Sequence, residues 1–387
     1  MAAMIPYGRQ IISDADVEAV VAVLRSDFLT QGPQVPAFEQ ALAAFCETPH
    51  AVAVNSATSA LHIACLALGV GPGDTVWTCT NTFLASANCA LYCGADVEFL
   101  DIDPRTLNVS VPELAAKLEA ASAAGRLPKV LIPVHFAGLP CDMAEIAGLA
   151  RRHGVAVVED ASHAVGARYG DGSPVGSGHH SDITVFSFHP VKIMTTAEGG
   201  AALTRDGALA RKLALLRSHG MSREPEEMRG APDGPWYYQQ LALGYNYRMT
   251  ELQGALGRSQ LPRVPAWVDA RHALADRYDQ ELAGLPLLLP WRGSPARSAL
   301  HLYVVQLDEE RTRVSRRHAF EALRAGGIGV NVHYIPVHTQ PFFRERRAQS
   351  LPAAERYYAR CITLPLHAGL TVEDQDTVIA RLREVLQ

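Results

Sequence analysis

The chain has 387 residues, enough for roughly two to three domains at about 150 residues each and for a substantial buried core. Apolar residues make up 48 % and charged residues 19 %, a balance that excludes long-range disorder. The formal charge of -5 comes from 40 acids and 35 bases spread along the chain; with no block of like charge and no basic stripe among aromatics, nucleic acid is not an expected partner.

The opening MAAMIPYGRQ lacks a basic and an apolar leader region, and the longest nearly apolar stretch, Ala60 to Val70, is too short to span a bilayer. A cytoplasmic protein with no membrane partner is expected. From about residue 50 to 205, β-rich runs alternate with helix-period segments, the pattern of βα units around a mostly parallel sheet. The strands are expected at Ala51 to Val54, Thr75 to Cys79, Val97 to Leu100, Val130 to Val134, Val155 to Glu159, Ile183 to Phe188 and Ala201 to Thr204. The helices between them are expected at Thr58 to Leu68, Leu84 to Tyr92, Val111 to Ala121, Met143 to His153 and Leu209 to Arg217. A stretch rich in Pro, Gly and Glu, Met221 to Tyr238, reads as a surface loop, either a lid or a solvated connection. Beyond Pro262 and Pro265 come a long helical stretch to about Leu282, the strand-like HLYVVQL, a further helix and GIGVNVHYIP. The fold class is therefore α/β, with a large domain over 1–260 and a smaller α+β domain over 261–387; the first twenty or so residues are candidates to return onto the small domain.

The seven cysteines form no C-x-x-C pair and no spacing typical of zinc sites, so buried structural thiols are expected. His179, His180, His333 and His338 have no matching carboxylate cluster, and no metal is expected. Only four of the 35 basic residues are lysine: Lys117, Lys129, Lys192 and Lys212. A lysine kept where arginine is the habit invites a chemical reason, since lysine can lose its proton and arginine in practice cannot.

Three runs carry chemistry. Asn55-Ser56-Ala57-Thr58 follows a strand and opens a helix, where free N–H groups and the dipole suit a phosphate; taken alone, the run reads first as an ordinary N-cap. Glu159-Asp160-Ala161-Ser162-His163 puts Asp160 and His163 at the carboxyl end of an apolar strand, the place where open α/β sheets bind ligands. Phe186-Ser187-Phe188-His189-Pro190-Val191-Lys192 ends a strand in a loop that carries one of the four lysines. A desolvated lysine there loses its proton more readily and becomes a nucleophile; the competing reading pairs it with Glu198 at the surface. Together the three describe a pyridoxal 5'-phosphate site: Lys192 to hold the aldehyde and carry a proton, Asp160 to hold the pyridinium nitrogen protonated, Ser56, Ala57, Thr58 and Ser187 for the phosphate, and Phe83 against the ring.

Eight motifs in order, LTQGP, NSATSAL, EDASHAVGA, SFHPVK, TTAEGG, LRSHG, LGYNYRMTELQ and VHYIPVH, give the whole chain a resemblance to the DegT/DnrJ/EryC1/StrS sugar aminotransferases. That resemblance implies the aspartate aminotransferase-like fold (fold type I), pyridoxal phosphate as cofactor and L-glutamate as amino donor. It further implies an obligate homodimer in which Asn246 reaches the cofactor phosphate or substrate of the neighbouring subunit. His163 is then expected beside the ring near its phenolic oxygen. Tyr7, Asp27, Phe28, Leu29, Thr30, Ala57, Ser187, Asn246, Asn331, Val332, His333 and Tyr334 are expected in the nucleotide-sugar pocket. Within the family, SFHPVKIMTTAEGG, GYNYRM and GIGVNVHYIP are most similar to the branch that forms UDP-4-amino-4,6-dideoxy-N-acetyl-β-L-altrosamine on the route to pseudaminic acid. The alternatives are the UDP-4-amino-4-deoxy-L-arabinose branch, which typically has Ala where this chain has Pro190, and dTDP-sugar aminotransferases. Members that dehydrate the sugar replace the lysine by histidine, so Lys192 argues against that branch. A nicotinamide oxidoreductase would need G-x-G-x-x-G after a strand, whereas Gly69 to Gly73 follows a helix. A non-catalytic regulator on this fold would be expected to lose Lys192 or Asp160.

Overall fold

The computed structural model describes residues 4–386. Ser13 opens the first helix, Asp14–Leu24 (α1), through a capping box in which its hydroxyl accepts from Asp16 N and the Asp16 carboxylate accepts from the Ser13 backbone. The second helix, Gln34–Phe45 (α2), starts behind Pro33, which offers no cap. Its orphan amides are met instead from far along the chain by Glu251, which accepts from Gln34 N at 2.6 Å and Val35 N at 3.2 Å.

The alternating section then runs His50–Val54 (β1), Ala57–Ala67 (α3), Thr75–Cys79 (β2), Ala85–Tyr92 (α4), Asp96–Leu100 (β3), Val111–Ala123 (α5), Val130–Ile132 (β4), Met143–Arg152 (α6), Ala156–Asp160 (β5), Ile183–Ser187 (β6), Gly200–Thr204 (β7) and Gly207–Arg217 (α7). Its seven strands form one sheet in the order β1-β7-β6-β5-β4-β2-β3. Only β7 runs against its neighbours; β2 through β6 pair in parallel, as the βα alternation requires. Alternate residues of each strand feed opposite cores. Ala53, Trp77, Leu131, Val157, Phe186 and Leu203 face one apolar layer, while Val52, Val76, Ile132, Val158, Val185 and Ala202 face the other, the period of two that a sheet covered on both faces imposes.

Both edges of the sheet are closed by side chains. At β1, the Ala53 N–H donates to Glu39 at 2.7 Å and the Ala53 carbonyl accepts from Arg217 at 2.8 Å. At β3, the Phe99 N–H donates to Gln349 at 3.3 Å and its carbonyl accepts from Lys117 at 3.0 Å.

The stretch expected as a loop is the arm of a hairpin: Met221–Ser222 (β8) pairs antiparallel with Gln239–Gln240 (β9), and residues 223–238 form the tip. Helices Glu251–Gln260 (α8) and Val264–Glu281 (α9) follow, then Leu287–Leu288 (β10), Tyr303–Leu307 (β11), Arg316–Ala325 (α10), Pro341–Arg346 (α11), Pro352–Arg360 (α12), Cys361–Leu364 (β12) and Val372–Leu386 (α13). Strands β10, β11 and β12 make a small antiparallel sheet with its own core against α9, α10 and α13. The N-terminal segment lies on this part of the molecule: Ile5 N donates to Gly327 O and Gly329 N to Ile5 O. Asp16 locks α1 to α8 and α9. Its buried carboxylate takes hydrogen bonds from Ser259 at 2.6 Å and Gln260 at 3.0 Å and an ion pair from Arg263. Burial alone would raise its pKa, but the bonds from Arg263, Ser13, Ser259 and Gln260 outweigh burial and hold it well below the carboxylate range.

Candidate active site

A cavity of about 590 Å³ opens at the carboxyl ends of the parallel strands, where the chain leaves each strand and side chains of different βα units converge. The turn after β1 supplies Ser56, Ala57 and Thr58; the segment after β2, Thr82 and Phe83; β5 and its turn, Asp160, Ser162 and His163; the end of β6 and its loop, Ser187 and Lys192. From beyond residue 260 come His301, Asn331, Val332, His333 and Tyr334, and from the N-terminal segment Tyr7.

The start of α3 is arranged for an anion. Ser56 caps it, accepting from Ser59 N at 3.1 Å, and Ala60 N donates to Ser56 O. The amides of Ala57 and Thr58 have no partner among the described residues and stand at the cavity with the hydroxyls of Thr58 and Ser187. The helix start reaches this place because position 200 is glycine: a Cβ there would lie 2.5 Å from Ala57 N.

Asp160 is buried and oriented by two donors, the Ser86 hydroxyl at 2.5 Å and Ser162 N at 3.1 Å. Ser86 is itself 2.7 Å from the Thr82 hydroxyl. The adjacent Glu159 points to the other sheet face, where it bonds His135 at 2.7 Å and Tyr169 at 2.6 Å; it braces the strand, so of this pair only Asp160 lines the cavity, which Glu198 also lines. Desolvation pulls the Lys192 amine down to about 8, and the Asp160 charge keeps it from falling further. Among the described residues Lys192 makes no ion pair with Glu198, whose side chain is exposed. Lys192 therefore stands as a readily deprotonated amine facing a carboxylate.

Three imidazoles form one wall. His163 Nε2 lies 3.1 Å from the Tyr334 hydroxyl, and its Nδ1 is buried without a partner. The His301 ring centre is 4.4 Å from that of His163, and His333 Nδ1 is 2.8 Å from the Thr363 hydroxyl. Desolvation first, then the nearby Lys192, holds His163 and His333 well below the usual range, His333 at about 3; desolvation, His163 and Lys192 do the same for His301. All three are neutral at neutral pH. Phe83, 59 % exposed, stands at the rim with its ring centre 6.4 Å from that of Tyr334.

Thirteen of the residues expected from the sequence thus line one cavity: Tyr7, Ser56, Ala57, Thr58, Phe83, Asp160, His163, Ser187, Lys192 and 331–334. Asp27, Phe28, Leu29, Thr30 and Asn246 do not line it in the single chain. Leu29 and Thr30 attach to the start of α8, through Glu251 N to Leu29 O and a bridge from Thr30 to Thr250, with Phe28 and Leu29 exposed. Asn246 is exposed beside Ser218. Sequence reasoning passed over Ser86 and His301. Ser86 stands four residues after Thr82 on a readable helix and His301 heads a readable strand, yet neither spacing names the partner across the cavity.

The donor set fits pyridoxal 5'-phosphate: a nucleophilic lysine, a hydrogen-bonded carboxylate, a helix start with two free amides, an aromatic rim and an unpartnered buried imidazole nitrogen. Comparison with known proteins agrees. The model of the DegT/DnrJ/EryC1/StrS aminotransferase family matches residues 10–383. The spore coat polysaccharide biosynthesis protein SpsC of Bacillus subtilis is 39 % identical over 99 % of this chain and 97 % of its own. Among solved structures, PseC of Helicobacter pylori, an aminotransferase involved in the biosynthesis of pseudoaminic acid, superposes with TM-score 0.90 at 30 % identity over 99 % of both chains. Spr1654 of Streptococcus pneumoniae, in its pyridoxal-phosphate form, gives TM-score 0.87 at 29 % identity over 99 % of this chain and 100 % of that one. The chain belongs to the DegT/DnrJ/EryC1/StrS aminotransferase family, with the aspartate aminotransferase-like fold and pyridoxal phosphate as its cofactor.

Proposed function

We propose that the protein moves an amino group from L-glutamate to C4 of a UDP-linked 4-keto-6-deoxy-N-acetyl hexose, the reaction that yields UDP-4-amino-4,6-dideoxy-N-acetyl-β-L-altrosamine on the pseudaminic acid route. The observation that carries the reading is Lys192: a desolvated amine facing Asp160 in a cavity closed at one end by the free amides of α3. The likeness to PseC over the full chain supports the sugar named. In this reading residues within 1–260 hold the cofactor, while 261–387 adds His301 and 331–334 to the sugar side, a division into two domains.

Pyridoxal phosphate, held by Lys192, Asp160, Ser56, Ala57, Thr58 and Ser187, supplies an electron-accepting ring and an aldehyde that exchanges amino groups. Lys192 Nζ takes the proton from the donor's α-carbon and returns one to C4 of the sugar, work suited to an amine titrating near neutrality. Asp160, fixed by Ser86 and Ser162, holds its negative charge against the ring nitrogen. The neutral His163, His301 and His333 form a desolvated wall that does not compete with Lys192 for protons. Tyr7 and 331–334 face the sugar.

The test is an absorbance spectrum of the purified protein before and after UDP-4-keto-6-deoxy-L-N-acetylaltrosamine and glutamate, followed by product mass. A visible band that bleaches with glutamate, and a product with one new amine, are expected. A coloured protein that ignores this sugar but aminates a dTDP-4-keto hexose or the UDP-4-keto pentose overturns the sugar assignment and keeps the aminotransferase. A protein that cannot be loaded with the cofactor overturns the whole reading.

A further inference from the structure

A second cavity, about 320 Å³, lies behind the active-site wall between the large sheet's loops and the segment that leads into β11. Its size is that of a small-molecule site, and most of its lining is apolar. At its mouth the Arg105 guanidinium stacks over the Trp291 ring, 4.6 Å from its centre. The other two guanidiniums of the cavity are neutralised, Arg292 by Asp276 and Asp279 and Arg297 by Asp269. Arg105 has no carboxylate partner among the described residues. One aromatic face and one uncompensated cation at the edge of an apolar chamber are complementary to a flat ring that bears a single negative charge.

The backbone of the chamber supports a functional origin. Seven non-glycine residues of the described chain adopt positive φ, and three of them line this cavity: Leu107 (φ 64), Ala137 (φ 55) and Leu300 (φ 48). A leucine in that conformation is unfavourable, and such residues gather where a shape is selected for use. Ala137 and Leu300 also belong to the partition between the two cavities. His301 N donates to Ala137 O and Ala299 N to Gly138 O, both at 2.9 Å, and a Cβ at position 138 would lie 2.9 Å from His163 O. The far side of this thin wall is the His163 and His301 face of the active site.

We propose that this chamber is a second ligand site, taking a planar aromatic ring with one anionic group, the ring against Trp291 and the anion on Arg105. The probe is indole-3-acetate, with indole alone and acetate alone as its halves, added to the cofactor-loaded enzyme. Tryptophan fluorescence and thermal unfolding are the readouts. Expected are saturable binding of indole-3-acetate at least about tenfold tighter than either half, a loss of about tenfold in Arg105→Gln with indole binding unchanged, and abolition in Ala296→Trp, which fills the chamber. Binding should survive in Lys192→Ala, which separates this site from the first cavity. Absence of a saturable signal at millimolar probe, or binding indifferent to both Arg105→Gln and Ala296→Trp, overturns the proposal. Binding lost in Lys192→Ala overturns it as well, by placing the probe in the active site.

Discussion

At the scale of single residues, the proposed reaction has Lys192 move the proton and Asp160 hold a negative charge against the ring nitrogen. Lys192→Ala should remove the visible absorbance of the loaded enzyme and lower turnover by roughly 10²–10⁴-fold or more, and Lys192→Arg should fare no better, since a guanidinium keeps its proton. Asp160→Asn should cost turnover by a similar factor while thermal unfolding changes little. Ser86→Ala removes one hydrogen bond to a charged carboxylate, worth about 1.5–3 kcal/mol; a fall in kcat of roughly 10–100-fold with KM little changed is expected from steady-state kinetics. The lowered pKa of Lys192 has its own signature. In the apoprotein an amine-specific reagent should label Lys192 half-maximally near pH 8, against 10.5 for an ordinary lysine, as peptide mass mapping would show. Between those values the unfolded chain binds the extra proton, so burial of Lys192 weighs against folding at lower pH and that cost fades as pH rises through the window. Lys192, Asp160 and Ser56 to Thr58 were legible in the sequence because each stands where a strand hands over to a turn or helix. Ser86 and His301 were not, because their roles come from contacts with residues 74 and 138 positions away.

At the scale of elements, the βα alternation was readable because both faces of the sheet are buried, and the strands therefore appear as short apolar runs between helix-period segments. Helices α1 and α2 escaped the reading. The anchors from outside, Arg263, Ser259 and Gln260 for α1 and Glu251 for α2, have no local pattern, and for α1 the only local sign is the short Ser13–Asp16 capping box. Asp16 makes the α1 anchor pH-dependent. Its pKa is lowered on folding, so its contribution is complete above the ordinary carboxylate range and is lost as pH falls below it. Asp16→Asn should therefore cost about 2 kcal/mol in denaturant unfolding at pH 7, with the difference shrinking in acid. The approach of β7 to α3 is equally specific. Gly200→Ala pushes a methyl group to within 2.5 Å of Ala57 N, and displacement of the helix start should weaken cofactor retention by about 10²-fold, read by spectral titration with pyridoxal phosphate.

At the scale of the whole molecule, the cavity carries one cation, Lys192, among its lining residues, too little for the diphosphate-linked sugar and dicarboxylate donor proposed above. Asn246 and the exposed Phe28, Leu29, Trp236 and Leu243 stand outside it, where a second copy of the chain could bring them to a neighbouring site. We propose that dimer as the working unit. Mixing Lys192→Ala with Asn246→Ala chains should restore activity well above either alone, since one of the two sites in a mixed pair is intact; strict additivity of the two residual rates would refute shared sites. The edges of the sheet bear on the same chains when they crowd together. Ala53 and Phe99 present the backbone groups through which a strand from another molecule would dock, and Glu39 with Arg217, and Gln349 with Lys117, already occupy those positions. These four side chains act as stoppers against runaway sheet growth. The harm from Glu39→Ala with Arg217→Ala should accordingly be seen less in the rate per soluble molecule than in how much protein stays out of the pellet on concentration.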